Sequence, residues 1–161
     1  MFNPQKVRET IYRVCQKYPN TTSVDAIAKE LSRNIFDGAT TNDIEKALLL
    51  ASTAFIERDP DYSKVSAGFF MQRLYKEAIG ISINENTFLD EYRKTFKDGI
   101  KLGVENKYLD SMLLDFDLEK LADALDPERD DLFEYLGIQT LYERYLQKHE
   151  DKRFELPQSF W

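Results

Sequence analysis

The sequence predicts a mainly α fold, with a four-helix bundle over residues 1–80 and further short helices plus an extended C-terminal segment over 81–161. Three observations predict it. The chain holds only 6 glycines and 5 prolines in 161 residues, below the roughly 12% that globular chains usually carry, so regular elements are rarely interrupted. Apolar residues recur at steps of three and four, the spacing of one helix face. Short polar residues stand just ahead of those stripes, where side-chain oxygens cap the free amides of a first turn.

The first helix opens at Asn3-Pro4, a capping residue followed by a proline at the one position where its missing donor costs nothing. Val7, Ile11, Val14, Cys15 and Tyr18 form its buried stripe, and Pro19-Asn20 ends it. Thr21-Thr22-Ser23 supplies the next cap. Val24, Ile27, Ala28, Leu31 and Ile35 make the second stripe, closed by Asp37-Gly38. Thr40-Thr41 caps a third helix with Ile44, Ala47, Leu48, Ala51 and Phe55 inward. Asp43 and Glu45 sit near its first turn, where the helix dipole favours negative charge. After a turn at Arg58-Asp59-Pro60-Asp61, the apolar positions Tyr62, Val65, Phe69, Phe70, Leu74 and Ala78 give a fourth helix that stops at Gly80.

Residues 81–86 read as a connector. Phe88, Leu89, Tyr92, Phe96 and Ile100 predict a fifth helix that frays into Gly99 and Gly103, and a short sixth piece is expected near Lys107–Leu114. Asp117 caps a short helix that Asp126-Pro127 ends. Leu132–Tyr135 fits either a helix or extended chain, Gln139–Leu146 is helical, and Arg153–Gln158 alternates polar with apolar as a strand does. The large aromatics Phe160 and Trp161 at the very end suggest a segment of something longer.

Composition excludes several function classes. The formal charge is −7, which argues against a general nucleic-acid binder, since such proteins need a basic footprint on phosphates. One cysteine and one histidine exclude an internal disulfide and a Cys/His zinc site. With no run of 18 apolar residues and no apolar leader in Met1–Lys6, no membrane span is expected and a cytoplasmic setting is.

Candidate chemistry is sparse. His149 lies in the wholly polar stretch Gln147–Lys152 and reads as a solvated loop residue. Glu57, Asp59 and Asp61 alternate, yet no glycine follows where a calcium loop needs one, so a solvated turn is expected and no metal ligand is named. Asp126–Asp131 reads as a charged surface turn. Cys15 lies on an apolar stripe and reads as an inert core thiol. No phosphate loop, nucleophile elbow or zinc helix is present, so no catalytic residue is named. Two helix starts carry short polar residues, Asn3 with Lys6 nearby and Thr40-Thr41, and Lys76 lies late in the fourth helix. Helix N-termini receive anions readily; ordinary caps and solvated lysines account for the same pattern.

Two stretches nevertheless carry a family resemblance. Phe2-Asn3-Pro4-Gln5-Lys6-Val7, then Gly38-Ala39-Thr40-Thr41 with Asn42-Asp43-Ile44-Glu45, then Pro60-Asp61-Tyr62 and Leu74-Tyr75-Lys76-Glu77-Ala78 resemble an ATP-cone, the regulatory module at the front of many ribonucleotide reductases. Arg129-Asp130, Phe133, Tyr135, Gly137, Thr140-Leu141 and Arg144-Tyr145-Leu146, followed by Glu155–Trp161, are similar to the run that leads the large (α) subunit of class I ribonucleotide reductase into its catalytic barrel.

The resemblance implies an ATP-cone-like regulatory domain over 1–80 and a helical segment over 81–161 leading toward a barrel that this chain does not contain. The β cap of a cone, with its Lys-Arg-Asp-Gly turn, is missing, and Glu45 stands where some family members have a histidine. It further implies ATP or dATP as a Mg-bound allosteric effector, with Asn3, Lys6, Thr41, Glu45 and Lys76 facing the nucleotide. No metal or redox cofactor is expected in the chain itself. The implied partners are the remainder of the α chain, the radical-bearing β subunit and other cones. The family's catalytic cysteines lie outside this sequence, so the chain alone is not expected to be catalytic. A degenerate cone that binds protein partners and no nucleotide is the competing expectation.

Overall fold

A computed structural model describes residues 4–36, 38–80 and 86–160. Asn3, Asp37, the connector residues 81–85 and Trp161 lie outside the described residues. The fold is mainly helical, as the periodicity predicts. Eight α-helices are described: α1 (Pro4–Cys15), α2 (Val24–Asn34), α3 (Thr41–Thr53), α4 (Asp61–Ala78), α5 (Phe88–Glu105), α6 (Leu118–Asp123), α7 (Tyr135–Arg144) and α8 (Pro157–Phe160). Two 3-10 turns, Ser111–Asp115 and Pro127–Leu132, and two short strands, β1 (Lys148–His149) and β2 (Lys152–Arg153), complete the described elements.

The chain divides into two compact units, Met1–Phe70 with Phe133–Gly137, and Met71–Leu132 with Ile138–Trp161. In the first unit α2 packs against both α1 and α3. Its core joins Ile11, Val14 and Cys15 of α1 to Ile27 and Leu31 of α2, Ala47, Leu48 and Ala51 of α3, and Phe55, Tyr62, Val65 and Phe69 around the start of α4. These are the stripes read from the spacing.

The caps expected at Ser23, Thr40 and Asp117 hold as well. Ser23 Oγ accepts the Ala26 amide at 3.2 Å, and Tyr62 Oη accepts the Ser23 amide at 2.9 Å, tying the start of α2 to α4. The two fully buried serines satisfy each other, Ser66 Oγ donating to Ser52 Oγ at 2.8 Å and Ser52 Oγ donating to Leu49 O at 2.9 Å. Gly80 ends α4 with φ +86°, the left-handed conformation in which a glycine escapes the Cβ penalty.

In the second unit α5 packs against α6 and the Ser111–Asp115 turn. Leu74, Tyr75, Tyr92, Ile138 and Leu156 are its most deeply buried side chains. The two strands pair antiparallel, Lys148 opposite Arg153 and His149 opposite Lys152. The tail expected to be extended over Arg153–Gln158 is so only in part: Arg153 ends a minimal hairpin, residues 154–156 carry no regular element, and Pro157 starts the single turn α8, a first position that suits proline.

Four local expectations need correction. First, α5 does not fray at Gly99 and Gly103 but runs to Glu105. Both glycines are used for close approach: a Cβ on Gly99 would sit 2.9 Å from Phe154 O, and one on Gly103 2.5 Å from a Leu109 methyl. Second, the piece expected over Lys107–Leu114 is shifted, because Lys107 turns the chain with φ +61° before Asp110 caps the 3-10 turn. Third, Asp126–Asp131 is not a uniformly exposed turn, since Asp130 is buried. Fourth, His149 lies in β1 and half-buried rather than in a solvated loop, its Nδ1 3.4 Å from Tyr108 Oη.

Gly99→Ala is expected to lower stability by about 1–3 kcal/mol, because backbone rather than a yielding side chain blocks the new methyl, and this outweighs the roughly 1 kcal/mol that alanine gains over glycine within a helix. The urea midpoint measures it; an unchanged or raised midpoint would show that Phe154 moves aside freely.

Candidate functional site

The residues that the resemblance assigns to a nucleotide fall on helix ends. Lys6 lies in the first turn of α1 and is exposed. Thr41 is the first residue of α3 and exposed, and Glu45 follows four residues later, half-buried. That interval puts both on one helix face. Lys76 lies in the last turn of α4, exposed, and belongs to the second unit. Asn3 lies outside the described residues.

The start of α3 has its own internal counter-charge. Thr40 Oγ1 accepts the Asp43 amide at 3.2 Å, while Asp43 Oδ2 accepts the Thr40 amide at 2.9 Å and the Thr40 hydroxyl at 2.7 Å. This reciprocal box satisfies two amides of the first turn. The Thr40 hydrogen bonds, side chain first, hold the Asp43 carboxyl below the usual aspartate range. An ionised Asp43 at the positive end of α3 repels a phosphate brought to the same amides. This α3 terminus is therefore a poor site for an anion.

A buried polar cluster among the described residues contains none of the site residues named from the sequence. In the second unit Asp130, 4% exposed, accepts hydrogen bonds on Oδ2 from Tyr75 Oη at 2.7 Å and Tyr92 Oη at 2.9 Å, and on Oδ1 from Gln158 Nε2 at 3.0 Å. Gln158 Nε2 also reaches Asp126 O at 2.7 Å and Tyr92 Oη at 3.2 Å, and its Oε1 accepts the Asp126 amide at 3.1 Å. One glutamine thus fastens α8 to the Pro127–Leu132 turn and to α5.

Burial raises the Asp130 pKa despite the three donors, which pull it down, and nearby Asp131 pushes the same way as burial. Tyr75 and Tyr92 are raised far above the ordinary phenol range, first by burial and then by the charge of Asp130. Such phenols stay protonated donors at any physiological pH and hold the Asp130 carboxyl in place.

A second anchor sits at Glu77. Its Oε1 accepts the Arg153 amide at 2.8 Å and its Oε2 accepts the Tyr142 hydroxyl at 2.7 Å. The Arg153 guanidinium lies 3.7 Å from the centroid of the Tyr142 ring and donates to Tyr142 O at 2.8 and 3.0 Å. Cation–π contact and hydrogen bonds together fix the hairpin on α7.

The signal for the Asp130 cluster was faint. Tyr92 was legible as part of an apolar stripe, and a buried tyrosine hydroxyl needs a partner. Its partners, however, lie 38 and 66 residues away, and no local pattern names them.

The remaining titratable groups give little. Cys15 is buried in the first core, and burial raises its thiol pKa, with the Thr22 hydrogen bond pulling the other way. Asp59 Oδ1 accepts the Asp61 amide at 2.9 Å, so that acidic turn caps α4. Among the described residues no group of three or more histidine, cysteine, aspartate or glutamate side chains is placed to hold a metal ion. Among them, too, no helix is long and apolar enough to cross a membrane.

Comparison with known proteins supplies what the geometry lacks. No protein-family model matches the chain. Over 147 residues it is 36% identical to a protein of Chlamydia pneumoniae named ribonucleoside-diphosphate reductase subunit alpha, covering 91% of this chain and 14% of that protein. The like-named protein of Chlamydia trachomatis is 37% identical over 155 residues, covering 92% of this chain and again 14% of the relative. A more distant likeness, 27% over 162 residues, links it to the ribonucleoside-diphosphate reductase large subunit of Vaccinia virus, of which it spans 20%. The chain thus corresponds to a small part of these much longer relatives.

Proposed function

Since the chain is homologous over most of its length to part of the ribonucleoside-diphosphate reductase alpha subunit, we propose that it is the regulatory N-terminal region of such a subunit, sensing ATP against dATP to control deoxyribonucleotide synthesis. The observation that carries this reading is the 36–37% identity to the two chlamydial alpha subunits over more than nine-tenths of the chain. In this reading residues 1–80 are the effector-binding module and 81–161 lead toward the catalytic barrel. The parent enzyme, cytoplasmic and paired with a β subunit, carries out the reduction, and this region sets its assembly by coupling nucleotide to subunit contacts.

Chemistry supports a division of labour at the effector site. Lys6, exposed in the first turn of α1, offers phosphate a cation beside a helix N-terminus. Thr41 and Glu45, one turn apart on α3, meet ribose or base, while the Asp43 carboxylate keeps phosphates off that helix end. Asn3 and Lys76 complete the set by resemblance. Magnesium accompanies the nucleotide and needs no dedicated protein ligand, because phosphate oxygens and water fill most of its shell.

Isothermal calorimetry with Mg-ATP and Mg-dATP tests this. Micromolar binding is expected, weakened about tenfold, or roughly 1.4 kcal/mol, by Lys6→Ala, with Lys76→Ala tested separately. Absence of heat with both nucleotides would instead support a second reading, a degenerate cone that serves as a protein-interaction module. The observation in favour of that reading is Asp43, which already occupies the anion-seeking end of α3.

A further inference from the structure

Helix α5 carries a stripe of charge that none of the above uses. Glu91, Lys94, Asp98, Lys101 and Glu105 follow one another at steps of three, four, three and four. That spacing lays them along one face of the helix, with the sign alternating at each step. All five line an open trough of about 450 Å³, whose apolar part includes Ile79, Leu102 and Phe154. Lys94, Asp98, Lys101 and Glu105 are exposed and Glu91 is half-buried.

The stripe is not closed on itself. Opposite charges three or four residues apart can pair within a helix, and Lys94 does reach Glu91 at 3.3 Å. Among the described residues, however, Asp98, Lys101 and Glu105 form no ion pair. Their charges face outward, unmatched by this chain.

The order of the signs suits one partner. Positions 91 and 101 are symmetric about residue 96, as are 94 and 98, and each symmetric pair joins an acid to a base. A two-fold axis at the level of Phe96 lays a second α5 antiparallel on the first, and a two-fold makes every contact twice. Glu91 then meets Lys101 of the second copy and Lys94 meets its Asp98, so the stripe forms four opposite-charge pairs with itself. Glu105 falls opposite the neutral Thr87. With the axis moved to Asp98, the same faces set acid on acid and lysine on lysine, so the charges select one register. The lysine stems can lie over the apolar side of the trough while their ammonium groups stay in water.

We propose that α5 docks antiparallel on α5 of a second copy of this chain through these four ion pairs. The formal charge of −7 on each copy opposes the approach at long range. Salt near 0.1 M screens charges more than about 10 Å apart and leaves pairs in contact. Exposed ion pairs are individually weak, so the dimer is reversible and depends on concentration.

Sedimentation equilibrium of the full 161-residue chain tests this. In about 0.1 M salt a monomer–dimer equilibrium is expected, and about 1 M salt, with a Debye length near 3 Å, is expected to shift it to monomer. Glu91→Lys alone and Lys101→Glu alone each turn two of the pairs repulsive. Each is expected to weaken the dimer about tenfold or more, with circular dichroism confirming the fold. Glu91→Lys also makes the chain less negative, so weakening by it separates the paired contacts from general repulsion. Mixing the two variants sets opposite charges across the axis again, and association is expected to return. The double variant, Glu91→Lys with Lys101→Glu, keeps the net charge and is expected to dimerise as the unsubstituted chain does.

A chain that stays monomeric at its highest soluble concentration would overturn the proposal. So would a dimer unmoved by either reversal, or folded variants that fail to associate when mixed. None of these readouts involves nucleotide, so failure here is separate from failure of the effector-site reading.

Discussion

Asp130→Ala is expected to destabilise the protein by about 3–5 kcal/mol, because it strands two buried tyrosine hydroxyls and one glutamine amide that together lose their shared acceptor. Tyr75, Tyr92 and Gln158 all donate to this one carboxylate, and alanine offers them nothing. Asp130→Asn is expected to cost less, about 1–2 kcal/mol. Its oxygen still accepts from Gln158, and its amide can donate to a tyrosine oxygen once that hydroxyl turns round. Urea titrations of the two variants measure the difference. Equal costs for alanine and asparagine would mean that side-chain volume and the bonds an amide can keep contribute little, and that only the carboxylate satisfies the three donors.

The same group gives stability a pH dependence of defined sign. Burial raises the carboxyl pKa of both Asp130 and Glu155, the latter against the opposing Gln147 hydrogen bond. A carboxyl whose folded pKa lies above its unfolded value binds its proton more tightly when folded. The stability it contributes is fully present below the unfolded pKa, about 4, and is lost as pH rises through the raised folded value. The chain is therefore expected to gain stability as pH falls from neutral toward the ordinary carboxylate range, and Asp130→Asn to flatten that slope. Asp43, whose pKa is lowered, acts in the opposite sense and only below the usual aspartate range. A wild-type slope of the reverse sign would exclude this account.

Leu156→Ala is the second large effect, expected to cost about 2–5 kcal/mol through lost transfer energy and the cavity left behind. Leu156 is 0% exposed and sits in the stretch between β2 and α8, with Phe154 and Glu155 buried just before it and Pro157 just after. Its backbone amide donates to Ser159 Oγ at 2.7 Å, a bond that alanine keeps, so the loss is one of packing. Thermal and urea unfolding both report the loss. A cost near 0.5 kcal/mol would mean that the site collapses to fill the gap.

How much of this the sequence carried depended on how local the cause was. The caps at Ser23 and Thr40, the stop at Gly80 and the core face holding Cys15 are all decided within a turn or two of chain, and all were legible. Gly99 and Gly103 were misread as a fraying end because glycine lowers helix propensity. They stand inside the helix because Phe154 and Leu109 press where a side chain would stand, and a local window contains Leu109 at most and never Phe154. Asp130 was misread for the same reason: its partners are 28, 38 and 55 residues distant, and composition alone made it one more surface acid. The nucleotide set came from family resemblance, and physical reading of the spacing added only that helix N-termini attract anions.

The single thiol has a practical consequence. Cys15 is 2% exposed inside the core shared by α1, α2, α3 and the start of α4, and it is the chain's one cysteine. A thiol reagent can therefore react at only one place, and only while that unit is open. Its alkylation rate is a clock for the opening of the first unit, readable by mass spectrometry without any label or substitution. If an effector binds that unit, the clock slows in proportion to the fraction bound, and the binding is timed by the protein's own sulfur.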